Sequence, residues 1–212
     1  MRARGAAVAG RLAGAAVAVV LLTLVAACGA GQSGQGRSTD VADQGYQSGD
    51  GATTTWPPAA RTDAVALSGT DADGQGVDVA DWRGDVVLVN TWYAACPPCR
   101  AEAPTLVALA DDYAAAGLHV VGVNGTDTAG TVAAFVRQFA LPYPTIVDTD
   151  GSATAALQGI VPLNAVPTTV LLDRQGRVAA RVLGLLDDST ARALIDDLLA
   201  EPGAGASTEP AP

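Results

Sequence analysis

The apolar and polar positions of the chain form short segments separated by turns. A continuous apolar run over 86–91 is typical of a strand buried on both faces, and the run over 118–123 repeats this pattern. Between them the sequence predicts a helix over 97–116, ended by Gly117, a residue that suits a left-handed C-terminal cap. A second helix is predicted over 128–139, where apolar residues recur on one helical face: Val132, Phe135, Val136 and Phe139.

Shorter elements complete the pattern. The turn residues at 71–74 predict a hairpin, flanked by 63–67 and 76–79. Beyond the second helix we expect a short strand, a short helix, two strands joined by a turn at 173–176, and a closing helix. Their ranges are 145–147, 152–157, 168–172, 177–183 and 189–199. This order predicts an α/β fold, with a mixed central sheet and helices on both faces.

The N-terminal residues indicate a signal segment. Arg2, Arg4 and Arg11 accompany an almost entirely apolar run over 12–27, as in a signal peptide or a short membrane anchor. Residues 25–29 (Val-Ala-Ala-Cys-Gly) resemble a bacterial lipobox, in which cleavage falls before the cysteine and its thiol carries the lipid. We therefore predict a signal peptide over 1–27 and lipidation of Cys28, which places the protein on the outer face of the cell membrane. An uncleaved helix and a secreted protein are the alternatives.

The composition divides the rest of the chain. Gly, Ser, Gln, Thr and Asp dominate 28–55, which predicts a flexible tether. The globular domain is predicted over 56–200, and the Pro/Gly/Ala-rich tail over 201–212 is predicted to be disordered. The formal net charge of −10 argues against nucleic acid as a partner, because an acidic chain repels phosphate backbones.

The cysteines carry the candidate chemistry. If Cys28 bears lipid, only Cys96 and Cys99 remain, in a Cys-Pro-Pro-Cys motif at a strand-to-helix junction. Backbone N–H groups at a helix N-terminus stabilise a thiolate, so we expect Cys96 to be an exposed nucleophile and Cys99 to resolve the mixed disulfide. Half of a zinc site and a permanent structural disulfide are alternatives. Zinc needs four ligands, and besides carboxylates only His119 is available, for which we expect a structural role.

Two segments together resemble the TlpA/ResA-like branch of the thioredoxin superfamily, whose members are tethered to membranes. They are Trp-Tyr-Ala-Ala-Cys-Pro-Pro-Cys-Arg-Ala-Glu-Ala-Pro over 92–104 and Val-Pro-Thr-Thr-Val-Leu-Leu-Asp-Arg-Gln-Gly over 166–176. The resemblance extends over 56–199. It implies a thioredoxin-like sandwich with the hairpin as an N-terminal extension.

The resemblance also implies roles for residues around the dithiol. Pro167 is expected to be cis and beside the sulfurs, so that the backbone of Val166 can pair with a substrate chain. Glu102 is expected to assist proton transfer, or else to be a solvated residue of the first helical turn. Asn90 stands where ordinary thioredoxins carry a buried Asp, so Cys99 would lose its proton to water or to Glu102; a plain core role for Asn90 is the alternative. Trp92 is expected to pack beside the site.

One position departs from the family pattern. Members often carry an aromatic residue immediately before the first cysteine, and this chain has Ala95. The catalytic pair is unaffected, but the details of the substrate groove are put in doubt.

The function implied is that of a lipid-anchored extracytoplasmic thiol–disulfide oxidoreductase. Its partners would be protein thiols or disulfides, with apocytochrome c as a candidate, and a membrane electron donor or acceptor. The favoured direction is reduction in cytochrome c maturation; an oxidant of secreted proteins is the alternative, and a tethered binding module with a structural disulfide is an alternative of another class. No cofactor or metal is expected, since the two sulfurs carry the electrons.

Overall fold

The computed structural model describes residues 53–162 and 165–202, so Cys28 and most of the expected tether lie outside the described residues. The strands are β1 (Thr53–Thr55), β2 (Ser68–Thr70), β3 (Gly76–Asp78), β4 (Val86–Thr91), β5 (Leu118–Asn124), β6 (Thr145–Val147), β7 (Thr168–Leu172) and β8 (Val178–Leu183). The α-helices are α1 (Pro97–Tyr113), α2 (Ala129–Phe139), α3 (Ser152–Ala156) and α4 (Asp188–Ala200). Within the described ranges, none of the helices combines the length and apolar character that crossing a bilayer requires.

The central sheet has six strands in the order β1-β8-β7-β4-β5-β6. Strands β4, β5 and β6 are parallel, while β7, β8 and β1 join antiparallel, so the predicted mixed sheet is confirmed. Strands β2 and β3 form a hairpin around the expected turn, but the predicted range 63–67 is wrong for its first strand, which is Ser68–Thr70. The register aligns one residue from each strand of the central sheet, here called the Asn90 row: Thr53, Val182, Thr169, Asn90, Gly122 and Thr145.

Helices lie on both faces of this sheet, as predicted. On one face α1, α2 and α4 cover a cluster that includes Leu88, Val120 and Leu171. On the other face α3 and the hairpin cover a second cluster that includes Val89 and Val121. Alternate residues of β4 and β5 thus enter opposite clusters, which is why these strands read as continuous apolar runs.

The helix boundaries follow the expected capping chemistry. Helix α1 starts at Pro97, where a missing N–H costs nothing, and a 3-10 turn then leads to Gly117 in the left-handed region at φ 88°. Thr128 caps α2 and Asp187 caps α4, each accepting a backbone N–H three residues along.

The domain begins and ends slightly outside the expected limits of 56 and 200. Thr53–Thr55, expected in the tether, pair with β8 as an edge strand. Glu201, expected in the disordered tail, accepts two hydrogen bonds from Arg61 at 2.5 and 2.7 Å. Both additions depend on partners more than one hundred residues away in sequence, which a local pattern does not reveal.

Candidate active site

The dithiol lies where β4 gives way to α1, and it is oxidised. Cys96 and Cys99 form a disulfide with an S–S distance of 2.04 Å. Cys96 is the N-cap residue of α1, and its sulfur accepts the backbone N–H of Cys99 at 3.2 Å. The first turn of the helix therefore points a backbone donor at the first sulfur, as the sequence position predicts.

The expected exposure of Cys96 is wrong for this oxidised form. Cys96 is 1% exposed and Cys99 is 2% exposed, and both belong to the cluster beneath α1. The reason is geometric, because a sulfur bridged to Cys99 turns in toward the first turn of the helix. The exposed residues at this point are the neighbours Ala95, Pro97 and Pro98.

Glu102 lies one helical turn beyond Cys99 and is buried, at 1% exposed. Its Oε1 accepts a hydrogen bond from Asn90 Nδ2 at 2.8 Å, and its Oε2 accepts the backbone N–H of Leu186 at 2.9 Å. The alternative of a solvated first-turn Glu is therefore wrong. Asn90 also donates to Thr169 Oγ1 at 3.2 Å, so it links the carboxylate to the neighbouring strand β7.

Burial raises the pKa of Glu102, because a carboxylate loses hydration when it leaves water. The hydrogen bonds from Leu186 and Asn90 act in the opposite direction without cancelling this effect. Burial also raises the pKa of the Tyr143 phenol, and the charge of Glu102 adds to that rise. A carboxyl group whose pKa is raised thus lies one helical turn beyond Cys99.

Trp92 packs beside the site, as expected. It is buried, and its ring stacks on Phe135 of α2 with 4.1 Å between centroids. The indole crosses Gly122 of the Asn90 row, where a Cβ atom would lie only 2.6 Å from Trp92 Nε1. Glycine at position 122 therefore makes room for this side chain.

Pro167 lies at the same end of the sheet, and its peptide bond with Val166 is cis, as the resemblance implied. The loop is fixed to the end of β4, since Thr91 Oγ1 accepts the N–H of Thr168 at 3.1 Å. The carbonyl of Pro167 accepts the N–H of Gly184 at 2.9 Å, which brings Leu185 next to this loop. Val166 is 37% exposed and Leu185 55% exposed, the two exposed large apolar side chains of the described part of the chain.

The structure also reveals a group of contacts that the sequence reasoning missed, centred on Ala94 in the loop before Cys96. The Ala94 N–H donates to Asp127 Oδ2 at 2.7 Å, and the Ala94 carbonyl accepts from Arg100 Nη1 at 3.2 Å. Asp127 lies in the loop after β5. The carboxyl ends of neighbouring parallel strands meet at one edge of a sheet, and this rule is the signal that could have pointed to Asp127.

His119 lies away from the dithiol, at the start of β5. Its ring stacks on Trp82 at 4.9 Å and contacts Asp85 at 3.0 Å, in keeping with the structural role expected for it. Across residues 53–162 and 165–202, His, Cys, Asp and Glu side chains form no group of three or more suited to holding a metal ion.

Comparison with known proteins identifies the family. A model of the AhpC/TSA family matches residues 60–181, more than half of the chain. The chain belongs to the AhpC/TSA family. The thiol-disulfide oxidoreductase ResA of Bacillus thuringiensis is 30% identical over 115 residues, which are 54% of this chain and 64% of ResA. The thiol:disulfide interchange protein HelX of Rhodobacter capsulatus is 34% identical over 138 residues, 65% of this chain and 74% of HelX.

These findings confirm the resemblance to ResA-like thioredoxins, and solved structures confirm the thioredoxin-like fold. A secreted thiol-disulfide isomerase from Corynebacterium glutamicum superposes with a TM-score of 0.67 at 29% identity, over 74% of this chain and 97% of that one. The chain spans just under two thirds of the length of the ResA proteins that it matches.

Proposed function

We propose that this protein is a thiol–disulfide oxidoreductase that exchanges disulfides with other proteins through Cys96 and Cys99. The observation that carries the proposal is the Cys96–Cys99 disulfide at the N-terminus of α1, one helical turn before a buried Glu102. Relatives bear the names thiol-disulfide oxidoreductase and thiol:disulfide interchange protein, which supports the same chemistry.

The exchange needs no group beyond the two sulfurs. To reduce a client disulfide, the Cys96 thiolate attacks one client sulfur, and the other leaves as a thiolate. Deprotonated Cys99 then attacks Cys96 in the mixed disulfide, which releases the second client thiolate and forms the Cys96–Cys99 disulfide. Two electrons pass from the dithiol to the client, and the reverse order oxidises a client dithiol.

Glu102 is the proton acceptor that we assign to Cys99. Asn90 cannot take a proton, whereas the carboxylate of Glu102 follows Cys99 by one turn of α1. Burial raises the pKa of Glu102, so its carboxylate holds a proton more strongly than an exposed Glu does.

The client is an extended polypeptide with apolar side chains next to its cysteine. Val166 and Leu185 offer exposed apolar surface near Pro167, and hydrogen bonds to Thr91 and Gly184 fix the Pro167 loop. In the finer proposal the protein is anchored by lipid at Cys28, receives electrons from a membrane donor and reduces envelope proteins, with apocytochrome c among the candidates. The alternative is an oxidant of secreted proteins.

Insulin reduction with dithiothreitol as the electron source tests the activity. We expect turnover by the wild type, its loss in Cys96→Ser, and its retention in Cys28→Ser, which removes a cysteine outside the motif. Reduced Cys99→Ala, mixed with insulin after dithiothreitol is removed, should accumulate a mixed disulfide on Cys96, because the second attack is missing. A wild type without turnover in both reducing and oxidising assays would contradict the proposal.

The direction is tested separately by alkylating the resting protein in cells. A reduced dithiol is the result expected of a reductase. A predominantly oxidised dithiol would contradict the reductase proposal and favour the oxidant.

A further inference from the structure

The loop between β4 and Cys96 is anchored at Ala94 through both its N–H and its carbonyl. The Ala94 N–H donates to Asp127 Oδ2 at 2.7 Å, and its carbonyl accepts from Arg100 Nη1 at 3.2 Å. Both bonds involve a charged partner, and charge-assisted hydrogen bonds are about twice as strong as neutral ones. Ala94 precedes the first sulfur-bearing residue by two positions.

Asp127 is itself held in place from the sheet. Asn124, the fully buried last residue of β5, donates from Nδ2 to Asp127 Oδ2 at 2.9 Å. The Asn124 Oδ1 accepts the backbone N–H groups of Thr126 and Asp127 at 3.1 and 2.9 Å. The carboxylate that binds Ala94 therefore belongs to a turn that is hydrogen-bonded to the buried end of β5.

Arg100 is fixed in a similar way from α2. Its guanidinium lies over the rings of Phe135 and Phe139, with its carbon 5.8 and 5.1 Å from their centroids. Phe135 also stacks on Trp92, two residues before Ala94. The loop, α1 and α2 are thus joined through one cation and its aromatic neighbours.

We propose that Asp127 and Arg100 are positioning residues for Cys96, because together they hold the N–H and the carbonyl of Ala94 and so keep the first sulfur at the N-terminus of α1. The inference rests on the proposed dithiol function. The methyl side chain of Ala95 cannot form a hydrogen bond, so the loop is anchored through the backbone of Ala94 instead. Cys96 follows in a tight turn, with its N–H bonded to the Tyr93 carbonyl at 3.1 Å.

The two effects of Asp127 on the reduced protein have opposite signs. As a negative charge it disfavours the Cys96 thiolate, so removing the charge alone lowers the thiol pKa. As a positioning group it keeps the sulfur where backbone N–H groups favour the thiolate, so removing the hydrogen bond raises that pKa. Asp127→Asn removes the charge but keeps an oxygen that can accept both bonds, whereas Asp127→Ala removes both features.

The experiment measures the rate of alkylation of Cys96 against pH in the reduced full-length protein carrying Cys28→Ser. We expect Asp127→Ala to raise the Cys96 pKa by about half a unit or more, with about threefold less thiolate below the pKa. Asp127→Asn should stay at or below the starting value. Asp111→Ala removes an exposed aspartate from α1, the helix that Cys96 caps. This control should leave the Cys96 pKa unchanged. Glu102 and Tyr143 are present in all these proteins, so they do not account for differences in the Cys96 pKa between them.

An Asp127→Ala value equal to or below that of Asp127→Asn would overturn the proposal, because Asp127 would then act as a charge only. If Asp127→Ala does not fold, Arg100→Ala and Arg100→Gln decide the matter. Both remove the positive charge, but Gln keeps an N–H donor for the Ala94 carbonyl. A Cys96 pKa no higher in Arg100→Ala than in Arg100→Gln would overturn the proposal. Failure of the proposed function is distinguishable, since the wild type itself would then lack insulin turnover.

Discussion

At the scale of single residues, burial disfavours the charged form of Glu102, and two hydrogen bonds partly compensate for this. A carboxylate inside an apolar cluster loses its hydration, and in the described part of the chain two donors, Leu186 N–H and Asn90 Nδ2, replace the lost water. The raised pKa is the direct result. The site thus retains a group that carries its proton to a higher pH than an exposed Glu would.

Replacing this carboxyl should change how stability depends on pH. Because the folded-state pKa is raised, the native protein binds more protons than the unfolded chain between about pH 4.3, the ordinary Glu value, and the raised value. Stability contributed by the neutral group is therefore lost as pH rises through that window. We expect Glu102→Gln to lose this part of the slope in urea unfolding of the oxidised protein from pH 4 upward, while the exposed-site variant Asp111→Asn keeps it. A slope unchanged in Glu102→Gln would contradict the assignment.

The sequence identified Glu102 but not its environment, and it missed Asp127. Glu102 was singled out because the family resemblance implies an acidic residue one helical turn after the second cysteine. Its burial depends on a backbone donor 84 residues away, at Leu186. Asp127 lies in an ordinary turn sequence, and its importance comes from a partner 33 residues earlier. Contacts of this kind are set by how elements pack, which residue type and local spacing do not specify.

At the scale of elements, the contact between β5 and the loop after β4 depends on Gly122, which has no side chain. Trp92 and Thr145 approach Gly122 so closely that a Cβ there would lie 2.6 Å from Trp92 Nε1 and 2.5 Å from Thr145 Oγ1. Interiors packed to this density cannot absorb an added methyl group without displacing a neighbour. Trp92 in turn supports Phe135, over which Arg100 lies.

Gly122→Ala should therefore destabilise the domain by about 1–3 kcal/mol, the usual range for overpacking in a core. Urea unfolding followed by tryptophan fluorescence measures the change. Gly76→Ala is the matched control in strand β3, since a Cβ there meets nothing within 4 Å. Equal stabilities of the two variants would show that Trp92 and Thr145 do not need the space above Gly122.

Most helices and strands were predictable from the sequence, but β1 was not. Strands β4, β6 and β7 begin and end at the predicted residues, and β4 was recognisable because burial on both faces leaves a continuous apolar run. Strand β1 is three threonines within a polar stretch, with no alternation to mark it. It exists because β8 offers an unpaired edge, and this property belongs to the sheet rather than to the segment.

At the scale of the whole molecule, an ion-pair network joins the start of the domain to its end. Arg61 is bound to Asp173 at 3.1 Å and to Glu201 at 2.5 Å, and its Nε donates to the carbonyl of Trp56. The side chains of Arg61 and Asp173 are 4% and 2% exposed. Burial acts to raise the pKa of Asp173, but hydrogen bonds from Arg177 and Arg61 outweigh it and lower the pKa.

Arg61→Ala should cost about 3 kcal/mol of stability at neutral pH, because it leaves a buried carboxylate with reduced compensation. Since the pKa of Asp173 is lowered in the fold, the stability that it contributes is lost as pH falls below about 3.9, the ordinary Asp value, and the difference from wild type should shrink there. Urea unfolding at several pH values gives both results. The control is Arg137→Ala on an exposed face of α2, and a loss no greater than that of the control would refute the role of the network.

The Asn90 row also shows at which end of the sheet β1 begins. Thr53 is level with Asn90, at the end of the sheet where β4 leads to the sulfurs, and β1 runs from there toward Ala180. Glu201 meets Arg61 and Asp173 at the other end, beyond the last residue of β7. A bulky label attached at Thr53 therefore crowds the end of the sheet that leads to the sulfurs, whereas one attached next to Glu201 leaves that end open.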